Sequence, residues 1–319
     1  MRKKLPANLF KRGVWLAPIA GYSDVGFRKL CYQYGAQYTF CEMVSAYQLA
    51  SKNSAKFTAL DISDIKTPTG IQIITPNATI LISSLLVLNK LIKQKPYCHI
   101  SSICLNLGCP VQKKSGAYLL NNLELIEQLF SALKQHATLP IGAKIRLAIN
   151  ETDKKKKIYL KITKLANKYL DFLIVHGRTL TQLYRGSVDL EAIKQIKQIA
   201  TIPVVGNGDI KSPQDAELMF KLTKCDAVMI AREAMKRPWI FKRIKDYFAT
   251  GKEQVIDEEK ERITCLKKYL VYQRKYNIDF LHTRMHVQLF LKNKYPQLNL
   301  KINSASSVAE IRRIVEDIK

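Results

Sequence analysis

The segment Pro203-Val-Val-Gly-Asn-Gly-Asp-Ile-Lys-Ser-Pro-Gln-Asp215 decides the architecture. Pro203 to Gly206 has the length and apolarity of a buried strand, a glycine-bracketed turn follows, and Ser212 stands as a helix N-cap with Pro213 at the first helical position. One strand therefore feeds directly into one helix. Outward from it, similar apolar runs bounded by turn residues recur at Val14 to Ala17, Tyr38 to Met43, Ile71 to Ile74, Ser101 to Leu107, Ile141 to Arg146 and Asp171 to Val175, and once more at Asp226 to Ala231. Helical spacing fills the intervals, as in Leu123, Ile126, Leu129, Phe130 and Leu133, or Leu190, Ile193, Ile196 and Ile199. Eight alternations predict an α/β fold of the closed parallel kind, a (β/α)8 TIM barrel, over an open doubly wound sheet. The alternation stops near Tyr247, and residues 258–276, 279–294 and 304–318 read as helices. The expected organisation is a barrel over residues 1–245 and a small all-helical domain over residues 246–319.

The 319 residues carry 52 Lys and Arg against 26 Asp and Glu, a formal charge of +26. A field of that size attracts polyanions. An AT-rich genome would also inflate Lys, but it would raise Glu with it, and Glu is not raised. The 75 residues from 245 onward hold only a net +5, so most of the excess lies on the barrel. Seven cysteines without a Cys-x-x-Cys pair, in a chain of this length, predict a reducing cytoplasm. No apolar signal core follows the basic start, and the most apolar stretch, Ile80 to Ile92, is too short to cross a bilayer. No metal site is expected: His282 and His286 share a helix face but lack an intervening Glu and a third ligand, so they read as a surface pair.

In such a barrel the reactive groups gather where the strands end. Polar residues end these runs repeatedly: Pro18-Ile19-Ala20, Glu42, Gln72, Asn106 to Pro110, Lys144 with Arg146, His176 to Arg178, Asn207-Gly208-Asp209, and Ala231-Arg232. The turn at Gly208 and Asp209 offers free amides to a mononucleotide phosphate, with Arg232 in reach. Lys144 and Arg146 point inward together, and a flavin ring or an internal salt bridge with Glu42 would each satisfy them. Cys109, on a turn between Gly108 and Pro110, is placed to donate a proton or attack a carbon, whereas Cys31, Cys41, Cys98, Cys225 and Cys265 read as buried small hydrophobes.

Taken in order, Leu16-Ala-Pro-Ile-Ala-Gly-Tyr-Ser-Asp24, Glu42-Met43, Asn106-Leu-Gly-Cys-Pro110, Lys144-Ile-Arg146, Ile174-Val-His-Gly-Arg178, Val205-Gly-Asn-Gly-Asp-Ile210 and Arg237-Pro-Trp-Ile-Phe241 resemble the bacterial tRNA-dihydrouridine synthases of the B-type. The resemblance is strong over residues 10–245 and looser in the tail. It implies FMN held by Pro18, Ile19, Ala20, Gln72, Lys144, His176, Asn207, Gly208, Asp209, Ala231 and Arg232. It makes Cys109 the proton donor and NADPH the reductant, with Asn106, Arg146 and Arg178 toward the uridine. It also implies tRNA as partner and, we expect, a monomer with no membrane association. Ala231 and Cys104 depart from the family pattern, as does a shorter stretch between Cys109 and Gly116. Two other readings compete: another FMN barrel such as a dihydroorotate dehydrogenase, against which the charge and the extra helices argue, and a non-catalytic RNA-binding protein on a degenerate barrel.

Overall fold

A computed structural model describes residues 3–51, 68–95, 97–291, 295–316 and 318. Eight parallel strands, β1 (Gly13–Leu16), β2 (Thr39–Ser45), β3 (Thr69–Ile74), β4 (Ile100–Leu107), β5 (Ile141–Arg146), β6 (Phe172–His176), β7 (Val204–Asn207) and β8 (Ala227–Ile230), lie in the order β1-β8-β7-β6-β5-β4-β3-β2. A parallel bridge between Trp15 and Tyr38 closes the seam between β1 and β2, with Leu16 N donating to Tyr38 O at 2.8 Å and Gln37 N to Val14 O at 2.9 Å. The barrel expected from the sequence is the barrel observed.

Helices cover the outside: α1 (Val25–Gln33), α2 (Ala46–Ala50), α3 (Ala78–Leu91), α4 (Leu123–His136), α5 (Glu151–Lys155), α6 (Ile158–Tyr169), α7 (Leu190–Ile199), α8 (Pro213–Thr223), α9 (Arg232–Lys236) and α10 (Ile240–Thr250). Their apolar faces match the spacing in the sequence; on α4, for example, Ile126, Leu129, Phe130 and Leu133 are buried against the sheet side. Ser212 caps α8 as expected, its Oγ accepting from Asp215 N at 3.1 Å. The apolar stretch from Ile80 falls within α3, and among the described residues no helix is long and apolar enough to cross a membrane.

The lower barrel interior is an aromatic plug. Trp15, Tyr38, Phe40 and Phe172 are buried there with Ile174, Val205, Ala227 and Met229. Glycines make room for the rings: a Cβ on Gly142 would sit 2.4 Å from the Phe172 ring, and one on Gly70 would sit 2.5 Å from Phe40. The register sets Asn106 beside Lys144 and Arg146 beside His176, so the side chains above the plug belong to one polar rim.

The chain continues into α11 (Glu258–Tyr276), α12 (Phe280–Leu291), α13 (Pro296–Ser304) and α14 (Val308–Glu316). Helix α10 runs across the expected division at residue 245, and the non-helical link is residues 251–257. The first tail helix starts and ends where the sequence placed it. The second stops at Leu291 and residues 292–294 of its expected span lie outside the described residues; the third, expected over 304–318, is α14 over Val308–Glu316, and α13 is a helix the sequence pattern does not mark. Cys265, Leu266 and Tyr269 of α11 are buried toward α1, so the tail shares the hydrophobic core of the barrel's flank.

Candidate active site

Where β4 ends, Asn106 organises the turn that carries Cys109. Its Oδ1 accepts from the backbone N of both Gly108 and Cys109, each at 2.8 Å, and its Nδ2 donates to Gln72 Oε1 at 2.7 Å. Gly116, at φ +59°, lets the returning chain pass close beneath; a Cβ there would meet Cys109 O at 2.7 Å. The thiol is thus half-buried on a fixed turn, unlike buried Cys31, Cys41, Cys225 and Cys265. Cys98 is exposed and not the core residue expected, because it lies ahead of β4 in a single 3-10 turn, Tyr97–His99, that buries none of its residues.

Arg146, on β5, ties two loops together. Its Nε donates to Gly108 O at 3.0 Å, and its Nη1 donates to Thr179 O and Leu183 O at 2.9 and 3.1 Å. Lys144, two residues earlier, has no ion-pair partner among the described residues. Glu42, the alternative partner weighed from sequence, is turned away: it accepts from Gly21 N at 3.0 Å and faces His282. At the other side of the rim Asn207 donates to Met229 O at 2.8 Å, and Asp209, at φ +54°, accepts from Arg232 at 3.0 Å.

A cavity of about 610 Å3 opens between these strand ends. Cys109, Pro18, Ile19, Ala20, Gln72, Asn106, Lys144, Arg146, His176, Asn207, Gly208, Asp209, Ala231 and Arg232 all line it. Arg178 does not. Its side chain is 1% exposed, its guanidinium is paired with Asp209, and it also donates to the carbonyls of Arg185 and Gly186, so the expected direct contact with a substrate is replaced by support of the Asp209 turn. Tyr184, Lys211 and Lys236 line the cavity without having been singled out from sequence. The Arg232 guanidinium stacks 4.4 Å from the Tyr184 ring.

The family model for dihydrouridine synthase matches residues 15–318. The chain belongs to the dihydrouridine synthase family. It is similar to a probable tRNA-dihydrouridine synthase of Aquifex aeolicus, 32% identical over 82% of each chain, and to tRNA-dihydrouridine synthase B of Shewanella oneidensis, 30% identical over 96% of this chain and 95% of that one. The B enzyme of Pseudomonas aeruginosa is 34% identical over 74% of this chain and 70% of its own. Among solved structures, 6-hydroxypseudooxynicotine amine oxidase of Pseudomonas geniculata superposes with TM-score 0.56 at 10% identity, over 81% of this chain and 50% of that one, which is a likeness of fold alone.

In this dihydrouridine synthase family member the rim electrostatics follow from crowding of cations. Burial, and then the neighbouring Arg146, pull Lys144 down to about 8, against the opposing pull of Cys104 and Cys109. Burial, followed by Lys144, Arg146, Arg178 and Arg232, pulls His176 to about 2, so its imidazole is neutral at any physiological pH and offers one N–H donor and one acceptor. The lining of the cavity in this family member therefore combines positive charge, a neutral imidazole and a thiol. Such a lining suits an electron-rich planar group and a proton transfer beside it.

Proposed function

We propose that this chain reduces the C5=C6 bond of uridines in tRNA, with FMN as resident cofactor, NADPH as the reductant and Cys109 as the acid. The carrying observation is that the Cys109 thiol and an ammonium without a carboxylate partner, Lys144, face one cavity. The residues present fit FMN. The cavity lies in the range that holds a cofactor of this size, Lys144 is a cation lacking an anion, and the Gly208–Asp209 turn with Arg232 stands where barrels of this class bind phosphate. Lys144 would face the pyrimidine edge of the ring, His176 and Gln72 would offer hydrogen bonds to it, and Pro18, Ile19 and Ala20 would wall its other side. When bound, FMN supplies a hydride to uracil C6 and is recharged by NADPH.

The chain's own residues supply the rest. The C5=C6 bond is conjugated to the C4 carbonyl, so a hydride at C6 leaves negative charge at C5 and O4 that a proton at C5 must discharge. Cys109 Sγ–H donates that proton and becomes a thiolate, which water reprotonates. The two amides held by Asn106 fix the turn, and Arg146 holds the same turn through Gly108 O, so the donor does not wander. The net reaction consumes one NADPH and one proton per uridine. A charge of +26 supplies the long-range attraction for a folded tRNA, whose target base has to leave its stack to enter the cavity.

The test is to incubate the purified protein with FMN, NADPH and unmodified tRNA and to measure dihydrouridine by mass spectrometry. The wild type should form it. Cys109→Ala should keep flavin and tRNA affinity and lose turnover by about 10²–10⁴-fold, the contribution of a placed general acid. Unchanged turnover in that variant would remove Cys109 from the proton step.

A further inference from the structure

The loop between β1 and α1, residues 17–24, forms one wall of the cavity through Pro18, Ile19 and Ala20, yet its outer side rests on the helical tail. Glu42, on β2, accepts from Gly21 N with Oε2 at 3.0 Å. Its other oxygen lies 3.2 Å from His282 Nε2 of α12, an ionic contact that is out of line for a hydrogen bond. The far nitrogen of the same imidazole, Nδ1, lies 2.6 Å from Asp279 Oδ2, and Asp279 Oδ1 accepts from the His282 backbone N at 3.0 Å. Asp279 thereby fixes the ring that faces Glu42.

Two further contacts come from the same helix. Gly21, at φ +76°, has the Met285 Cε only 2.8 Å from where a Cβ would lie, so α12 packs directly on the peptide that Glu42 holds. One turn on, fully buried His286 has Nε2 at 2.8 Å from Asp24 Oδ2 and 3.1 Å from Tyr22 O, with its ring 4.7 Å from Phe27 and 4.5 Å from Tyr269. The surface pair expected from sequence is therefore two separate anchors on one loop. Contact with Glu42, opposed by burial and reinforced by Asp279, pushes His282 up to about 9, so it is a cation at neutral pH. The Glu42 and His282 side chains are only 15% and 25% exposed, where a charge contact is screened far less than at the open surface.

We infer that Glu42 and His282 are positioning residues, through which α12 of the helical tail sets the conformation of the loop that walls the flavin. This rests on the FMN reading above. It makes the tail part of the cofactor site as well as a grip on RNA. Neither residue lines the cavity, so their effect passes through Gly21 and the Pro18–Ala20 wall.

The experiment measures FMN dissociation constants by flavin fluorescence, together with the visible spectrum of bound flavin, for the wild type, His282→Leu, His282→Lys, Glu42→Gln and the double variant His282→Leu/Glu42→Gln. Each of His282→Leu and Glu42→Gln should weaken FMN by about tenfold and shift the bound-flavin absorption band, the scale of a lost charged contact. The double variant should lose no more than either single one, because both remove the same link. His282→Lys, which restores a cation opposite Glu42, should recover most of the affinity and the wild-type band. Should His282→Leu fail to fold, the nearly isosteric Glu42→Gln carries the test. Wild-type affinity and spectrum in both single variants, or fully additive losses in the double, would overturn the inference while leaving the FMN reading intact. A wild type that takes up no flavin would end both.

Discussion

Gly142 and Lys144 stand two residues apart on β5 and face the same barrel interior, but their surroundings differ. Gly142 has no side chain because the Phe172 ring occupies its space, and the neighbourhood is Trp15, Phe40 and Phe172 in edge and tilted contact at centroid separations of 5.9–6.3 Å. Lys144 stands beside Arg146 and two thiols, with a pKa drawn down by burial and by Arg146 while Cys104 and Cys109 hold it up in part. The lower layer is close-packed and apolar, so it stabilises the closed barrel. The upper layer crowds cations and leaves one without a carboxylate, which costs stability until an anionic ligand arrives. One set of strands thus carries a stabilising floor and a strained functional rim, and substitutions should separate the two.

The sharpest break comes at the floor. Phe172→Ala removes a fully buried ring whose neighbour is a glycine unable to fill the gap, and should destabilise the protein by about 3–5 kcal/mol in denaturant unfolding. Below the unfolding transition its FMN affinity should match the wild type, because no rim side chain is touched. A loss of flavin affinity as large as the loss of stability would show that floor and rim are not separable.

A smaller effect sharpens the rim. Folded Lys144 holds its proton up to about pH 8 rather than the ordinary 10.5. Reduced FMN carries its negative charge on the pyrimidine edge that Lys144 would face, so its binding favours the charged form; below that value the group is ready and affinity is flat. Above it, each binding event takes up a proton and the affinity for reduced FMN should fall by about tenfold per pH unit. Titrations of wild type and Lys144→Met between about pH 7 and 9 should show the slope only in the wild type. A flat wild-type profile would mean that Lys144 does not meet the cofactor's negative charge.

How much of this was legible depended on whether a local pattern or a tertiary contact decided it. The β5 run Ile141 to Arg146 and helix α11 appear residue for residue, since short apolar length and helical spacing need no distant partner. The same holds for the ring of polar strand ends, because a parallel barrel brings every strand's C-terminal end to one side. Arg178 follows β6 and reads as a rim cation; only the loop that folds back with the Arg185 and Gly186 carbonyls shows that its donors are consumed. His286 reads as exposed because the sequence does not mark the face it shares with His282 as a buried one, and the choice is made by Phe27 and Tyr269 packing from other elements. Tyr184 sits in a loop without periodicity, so nothing local marks it, although an aromatic so soon after a strand-end cation cluster was a usable sign. Helix α13 is short and carries a single buried residue, Ile302, which is too little apolar spacing to read.

The smallest effect is also the one that most directly opposes floor and rim. Lys144→Met replaces a half-buried cation by an apolar chain of similar length, so at neutral pH and without flavin the variant should be more stable than the wild type, on the order of 1–2 kcal/mol. The pH dependence fixes the sign. Unfolded, Lys144 binds its proton up to about 10.5, and folded only to about 8, so between those values the unfolded wild type holds more protons and its folding stability climbs with pH. The advantage of the methionine variant is therefore full below pH 8 and shrinks as pH rises toward 10.5. Saturating reduced FMN should narrow or reverse the difference at neutral pH, because the anion binds more tightly to the folded chain that still carries the ammonium and so stabilises it more. Thermal unfolding of both proteins, with and without FMN, measures all of this; a methionine variant that is less stable without flavin would show that Lys144 belongs energetically with the floor.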